Sequence, residues 1–117
     1  MCRNFLIFIL FIFIIKAEIW EGYTIFTPYA AGTGTSTHLL DTYGNIIHLW
    51  EHERGPASMP YLLPDSTIIY PYVVENPSMI AGGVGGGIQI IDWNGNILWD
   101  YHIANSQYQQ HHDVEPL

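Results

Sequence analysis

The strongest constraint on the fold is a turn sequence that occurs twice at a fixed distance. Asp-Thr-Tyr-Gly-Asn-Ile at 41–46 and Asp-Trp-Asn-Gly-Asn-Ile at 92–97 share four residue types at the same offsets, and Asp41 precedes Asp92 by 51 residues. The glycine permits the positive φ of a tight hairpin, and the aspartate can hydrogen-bond the backbone of its own turn. Each turn leads into Ile and Trp residues, which favour strands. The pattern predicts two matching β-hairpins.

The remaining sequence after residue 17 alternates short strand-forming runs with turn residues. Runs of Ile, Val, Leu, Tyr, Trp and Thr are separated by Gly, Pro, Asn and Asp, and no long window has apolar residues at helical spacing. The predicted fold class is therefore all-β. We predict strands near 22–27, 36–40, 46–51, 60–63, 67–73, 87–91 and 97–103, and a further strand that begins near His111.

A second pair of similar segments in the sequence supports a repeat. Tyr-Leu-Leu-Pro at 61–64 precedes an apolar strand, and Val-Glu-Pro-Leu at 114–117 resembles the opening of the same element one period later. A repeat of about 50 residues with about four strands has the size of a propeller blade. We predict a partial β-propeller of about two blades with an open edge, because one blade cannot bury both of its faces. The alternative is a β-sandwich, which also contains Asp, Asn and Gly hairpins.

The first seventeen residues have the pattern of a secretory signal peptide. Arg3 gives a positive start, residues 5–15 are Phe, Leu and Ile, and Lys16-Ala17 follows. This run is shorter than the ~20 residues of a membrane-spanning helix, so we expect cleavage after Ala17, with an uncleaved anchor as the alternative. The expected organisation is a signal peptide at 1–17 and a truncated, N-terminal portion of a propeller domain at 18–117, exported to the periplasm or secreted.

The charge of the region after residue 17 excludes several functions. Its one basic side chain, Arg54, stands against eleven acidic ones, which gives a formal net charge of −10 with His neutral. Such a surface repels nucleic acid and anionic membranes, so we expect neither as a partner once the signal peptide is removed. Without cysteine, this region can form no disulfide or cysteine-based site. Arg54 could meet an anionic ligand, but its loop position favours a solvated pair with Glu51 or Glu53.

A glycine-rich segment at 82–87 does not fit a phosphate-binding loop. It lacks the Lys-Ser/Thr that ends such a loop, and it is followed by a predicted strand instead of a helix. We interpret it as a flexible loop or as a place where the backbone packs closely.

His111-His112-Asp113 is the strongest candidate for chemistry. Neighbouring residues on a strand point to opposite faces, so one histidine could face a pocket. Histidine transfers protons near neutral pH and can act as a nucleophile. The alternative is a structural His–Asp hydrogen bond. The other histidines after residue 17 lack metal-ligand spacing, so we expect structural or surface roles for them and neither metal nor cofactor; they are His38, His48, His52 and His102.

Three stretches resemble the bacterial aryl-sulfate sulfotransferase family and together cover nearly all of the chain after residue 17. The most specific is Gln-His-His-Asp-Val-Glu-Pro-Leu, which in the family usually runs on into Pro-Asn-Gly-Asn. Asp65-Ser66-Thr67 departs from the usual Asn-Gly-Asn. The stretches lie at 22–28 with 37–50, at 61–64 with 76–77 and the glycine-rich segment up to 96, and at 110–117.

The resemblance implies an exported, six-bladed propeller that moves a sulfuryl group from an aryl sulfate to a phenolic acceptor, without a cofactor, through a sulfated histidine. His111 and His112 match the family motif and become candidate catalytic residues, whereas the nucleophile and a channel arginine belong to later blades. This fragment is then expected to be inactive alone, whereas the resemblance implies that the full-length protein is an enzyme and allows a homodimer. The alternatives are a non-catalytic propeller that binds a ligand or protein and, less favoured, a quinone-dependent dehydrogenase.

Overall fold

The computed structural model describes residues 18–29, 35–75, 77–80 and 82–117. The expected signal peptide lies outside these residues. The described part contains seven strands and no helix, so no helix in it is long and apolar enough to cross a membrane. The strands agree with the predicted ones to within two residues at each end; they are β1 Thr24–Phe26, β2 Thr35–Leu40, β3 Ile46–His52, β4 Tyr61–Leu62, β5 Ile68–Val73, β6 Gly86–Ile91 and β7 Ile97–His102.

The strands form two antiparallel sheets. Sheet 1 has the order β1-β2-β3, and sheet 2 has the order β4-β5-β6-β7. Every neighbouring pair is antiparallel, as expected where short loops join consecutive strands. The all-β prediction is confirmed, and the described strands form two open sheets, not a closed ring.

The two predicted hairpins have the same register. Five of the six pairs along the β2–β3 ladder have a counterpart 51 residues later in the β6–β7 ladder, and both ladders shift register next to the turn. Because side chains alternate between faces, this agreement places equivalent residues on equivalent faces. The corresponding pairs are Leu40–Ile46 with Ile91–Ile97, Leu39–His48 with Ile90–Trp99, and Thr37–Trp50 with Ile88–Tyr101.

The first of the two turns is held by its aspartate. Asp41 Oδ1 accepts hydrogen bonds from the backbone N–H groups of Tyr43 at 2.9 Å and Asn45 at 2.8 Å. The Asn45 side chain donates to Asp41 Oδ2 at 2.8 Å. The side-chain and backbone hydrogen bonds from Asn45 hold the pKa of Asp41 below its usual value. Gly44 has a φ of 83°, a conformation that glycine adopts without steric cost.

The second turn repeats these contacts. Asp92 Oδ1 accepts from the backbone N–H groups of Asn94 and Asn96, and the Asn96 side chain donates to Oδ2, each at 2.8 Å. Gly95 has a φ of 86°. The hydrogen bonds from Asn96 likewise lower the pKa of Asp92. The shared sequence therefore encodes one turn geometry twice.

The tryptophans that follow the turns are not equivalent. Trp50 corresponds to Tyr101, and Trp99 corresponds to His48, because Trp99 stands two residues nearer its turn. The turn and register define the repeat, whereas the downstream Trp does not. The repeat extends to the neighbouring strands, because the Ile25–Leu39 pair of sheet 1 corresponds to the Ile69–Ile90 pair of sheet 2. Sheet 2 therefore has one additional strand, β4.

The core lies between the two sheets. The Trp50 Nε1–H group donates to the Asp92 carbonyl oxygen at 2.9 Å, which joins β3 to the turn of sheet 2. The His52 ring stacks on Tyr70 with centroids 3.7 Å apart. Burial of these apolar side chains is the main contribution to stability. The core residues are Leu39 and Trp50 from sheet 1 and Ile68, Tyr70, Tyr72, Val74 and Ile91 from sheet 2 or its immediate flank.

Candidate functional site

The candidate histidines lie on a segment that returns along the glycine-rich loop after β7. His111 forms an isolated bridge with Val84, and the backbone N–H of His112 donates to the Gly83 carbonyl oxygen at 2.9 Å. The Asp113 N–H then donates to the His111 carbonyl oxygen at 2.6 Å. The predicted strand near His111 is therefore wrong, since this local turn ends the pairing after one bridge.

The glycine-rich loop provides the space for this segment. Gly83 has a φ of 84°, and a Cβ there would overlap the His111 ring. A Cβ on Gly85 would lie 2.6 Å from Gln110 Oε1, which also accepts a hydrogen bond from the Gly86 N–H at 2.9 Å. The glycines thus permit close backbone packing, which is one of the two interpretations made from the sequence.

The two histidine rings lie against each other. Their centroids are 4.2 Å apart with a tilt of 46°, and both side chains are exposed. They do not point to opposite faces, because the segment is not a strand. His111 Nε2 donates to the Gly82 carbonyl oxygen at 3.2 Å, which leaves its Nδ1 without the proton when the ring is neutral. A cavity of about 130 Å³ borders Gly82, Gly83 and His111.

Asp113 contacts sheet 2 instead of a histidine ring. Its Oδ1 accepts hydrogen bonds from the Ser58 and Tyr61 hydroxyl groups, each at 3.1 Å, and from the Val114 N–H at 2.9 Å. The backbone hydrogen bond from Val114 is the largest cause that lowers the pKa of Asp113. The alternative interpretation of the triplet, a structural His–Asp hydrogen bond, is therefore wrong for Asp113. The contact with Tyr61 instead places Asp113, the residue directly before 114–117, beside the first residue of the similar segment 61–64.

Arg54 belongs to a network that the sequence did not predict. Its Nη1 lies 3.6 Å from Asp100 Oδ2 and 3.3 Å from His102 Nε2, and its guanidinium lies 4.6 Å from the centroid of the Tyr72 ring. The expected pairing with Glu51 or Glu53 is wrong. The arrangement depends on packing of the β3–β4 connection against sheet 2, and the only signal in the sequence was that Arg54 is the sole basic residue of the region.

Asp100 is the acceptor at the centre of this network. Tyr72 donates its hydroxyl to Oδ1 at 2.5 Å, and Gln89 donates to Oδ2 at 2.8 Å. Burial raises the pKa of Asp100, but these hydrogen bonds, with Arg54, outweigh it and keep the pKa below its usual value. A cavity of about 390 Å³ lies beside Arg54 and His102. The contacts of Arg54 are with Asp100, His102 and Tyr72, and none of them is with His111 or His112.

Two of the other histidines pack against aromatic rings. His52 is 7% exposed, its Nε2 lies 2.7 Å from Thr37 Oγ1, and burial lowers its pKa to about 4. His48 stacks on Trp93 with centroids 3.9 Å apart. Within the described ranges, no group of three His, Cys, Asp or Glu side chains is arranged to hold a metal ion.

Comparison with known proteins gives no match for this chain among family models, curated proteins or solved structures.

Proposed function

We propose that the two sheets are neighbouring blades of an exported β-propeller that transfers a sulfuryl group from an aryl sulfate to a phenolic acceptor. The observation that carries this proposal is the position of His111 and His112. They lie where the chain, after one full repeat, returns beside β4 through the Asp113–Tyr61 hydrogen bond. In a propeller this is the place where successive blades begin, and such positions border the central channel. The predicted signal peptide supports export to the periplasm or beyond the cell.

The chemistry of the pair fits one half of such a reaction. In the transfer, a nucleophilic histidine from outside this chain forms an N–S bond as the aryl S–O bond breaks, and the released aryl oxide takes up a proton from solvent. The oxygen of the acceptor phenol then attacks that sulfur as the N–S bond breaks, which frees the histidine. The unprotonated Nδ1 of neutral His111 is free to accept the phenol proton, and exposed His112 can donate a hydrogen bond to a sulfuryl oxygen. The Gly82 carbonyl oxygen orients His111 for this role.

The test is a chromogenic aryl sulfate assay on the complete protein that carries these sheets. Phenol release is expected only when a phenolic acceptor is present. The double substitution His111→Ala and His112→Ala should lower the rate at least ~100-fold, which is the low end for a lost acid–base group. His38→Ala is the matched control, because His38 bonds Ser36 at 3.0 Å on the far side of sheet 1. Full activity in the double variant would remove the pair from the mechanism.

A second candidate function is ligand binding without catalysis. It is favoured by one observation: Arg54, the single basic side chain after residue 17, is engaged with Asp100 and does not lie beside the histidine pair. Any positive charge that stabilises a sulfuryl group must then come from outside this chain. Calorimetric binding of an aryl sulfate by the complete protein, with no phenol release under any acceptor, would support this function over the first.

A further inference from the structure

A small cavity lies between the glycine-rich loop and the segment that carries the histidine pair. It has a volume of about 130 Å³; one wall consists of Met79 and residues 82–84, and the other consists of residues 109–111. The backbone N–H of His112 donates to the Gly83 carbonyl oxygen at 2.9 Å, which holds the two segments together. Both walls are therefore formed by residues that the structure describes, and direct contact fixes their spacing.

The polar side chains of these walls are engaged by the protein itself. Gln109 Oε1 accepts a hydrogen bond from the Met79 N–H at 3.3 Å, and its Nε2 donates to the Gly85 carbonyl oxygen at 3.5 Å. The Gln110 side chain accepts from the Gly86 N–H at 2.9 Å and donates to two carbonyl oxygens of its own segment. Both side-chain amides therefore have partners in the protein, and neither requires a ligand to satisfy it.

The groups that remain for a ligand are two apolar side chains and one histidine. Met79 and Val84 contribute apolar surface, and His111 is the only ionisable side chain among the described residues that line the cavity. The neutral His111 ring can accept a hydrogen bond at Nδ1, because its Nε2 donates to the Gly82 carbonyl oxygen. Apolar walls with a single proton acceptor fit a ligand that has an apolar body and one hydroxyl group, as a phenol does.

The volume of the cavity limits the size of that ligand. An engineered cavity of ~150 Å³ in another protein binds one benzene molecule, so a volume of about 130 Å³ accommodates one aromatic ring but not two fused rings. The charge of the chain sets a second limit. With a formal net charge of −8, the chain repels anions, whereas a phenol is neutral at about pH 7 because its pKa is about 10. The cavity therefore fits a neutral phenol of one ring.

We propose that this cavity binds the acceptor phenol with its hydroxyl group at His111 Nδ1, and that Met79 and Gly82 restrict the acceptor to a single ring. The role as acceptor rests on the proposed sulfuryl transfer, but occupation of the cavity by a phenol does not. Gly82 is the position at which the cavity can be filled, because a Cβ built there meets no atom within 4 Å. Met79 is 45% exposed and lies outside the core, so shortening it should enlarge the cavity without disturbing the fold.

The first test measures the binding of phenol and of 2-naphthol to the full chain by NMR. Phenol should shift the ring resonances of His111 with a Kd of about 1 mM, which is within the range for so small a ligand. The fused compound, 2-naphthol, should bind at least ~10-fold more weakly, because its second ring does not fit. The variant His111→Ala identifies the resonances. Equal affinity for the two compounds, or no shift at His111, would overturn the proposal.

Two substitutions change the cavity in opposite directions. Gly82→Val should fill it and weaken phenol binding at least ~10-fold, whereas Met79→Ala should enlarge it and strengthen 2-naphthol binding at least ~10-fold. Met59→Ala is the matched control, because Met59 is 65% exposed and borders a different cavity. Circular dichroism checks that each variant keeps its strands. Unchanged phenol binding in Gly82→Val, or an unchanged preference for phenol in Met79→Ala, contradicts the proposal.

The aryl sulfate assay on the complete protein separates this proposal from the proposed function. With both correct, kcat/KM should favour phenol over 2-naphthol as acceptor at least ~10-fold, and Met79→Ala should reduce that ratio. Transfer to both acceptors at equal rates in the parent protein would overturn the single-ring site and leave sulfuryl transfer intact. Binding of phenol at His111 without any transfer would contradict the proposed function and support the cavity as a phenol-binding site.

Discussion

The β2–β3 and β6–β7 hairpins have the same turn and the same register but different surroundings. Trp50 in the first is 1% exposed, whereas its counterpart Tyr101 in the second is 52% exposed. The turns agree because their hydrogen bonds are local to six residues, four of which are the same in both, including the Asp, Gly and Asn that make the turn. Burial differs because it depends on a neighbouring sheet, and within the described residues sheet 2 covers the hairpin of sheet 1 but no third sheet covers the hairpin of sheet 2.

The largest test of this comparison is removal of the two equivalent aromatic side chains. Trp50→Ala should lower the free energy of unfolding by about 3–5 kcal/mol, because it leaves a cavity and removes the hydrogen bond to Asp92. Tyr101→Ala should cost less than ~1 kcal/mol, since its side chain is half exposed. Urea denaturation measures both. Equal losses would show that the two hairpins have similar surroundings in solution.

The elements predicted from sequence are those with local causes. Turn residues and β-branched runs are sufficient to predict all seven strands, and the matching turns predict matching hairpins. The prediction failed at His111, where the Gly83 contact and a tight turn at Asp113 prevent a strand. It also failed at Arg54, because Asp100 becomes its neighbour only after the two sheets pack.

In the candidate site, too, local features were predicted from the sequence and contacts between distant residues were not. The sequence identified the histidine pair, but the contact between the two rings and the hydrogen bonds of Asp113 to Ser58 and Tyr61 depend on how the segment returns to β4. Contacts between residues distant in the chain have no local signature, since loop closure and packing determine them.

The second test measures how stability depends on pH. The residue that it concerns, His52, lies in the first repeat and has no ionisable counterpart in the second. His52 is buried against Tyr70 and its pKa is lowered to about 4, whereas its counterpart in the second repeat is Ile103, which does not titrate. The folded state therefore favours the neutral ring. Stability should be full above about pH 6.5 and should fall by about 3 kcal/mol as the pH drops to about 4, because the unfolded chain binds a proton that the folded chain does not.

Urea denaturation across this pH range measures the effect of His52. His52→Gln is the control, since it keeps a polar side chain at Thr37 without an ionisable group. The difference in free energy of unfolding between the two proteins should change with pH between about 6.5 and 4 and be constant above. A constant difference over the whole range would mean that His52 is solvated and that the sheets separate more readily than the structure indicates.

The smallest test concerns a third turn, between β4 and β5, where the chain has Asp65-Ser66-Thr67. Asp65 Oδ1 accepts hydrogen bonds from the Thr67 N–H at 3.1 Å and hydroxyl at 2.7 Å, so this turn also depends on an aspartate. Unlike the two repeated turns, it has no glycine, and Ser66 adopts a φ of 67°. A non-glycine residue in this region is strained by about 1 kcal/mol.

Ser66→Gly should therefore stabilise the chain by up to ~1 kcal/mol, less the entropy that glycine adds to the unfolded state. Gly95→Ala is the matched opposite change, because no atom lies within 4 Å of a Cβ built there and only the φ of 86° opposes it. It should destabilise by about 1 kcal/mol. Thermal unfolding of both variants beside the parent would measure the two shifts. Stabilisation by Gly95→Ala would mean that Gly95 does not adopt the positive φ that it shares with Gly44.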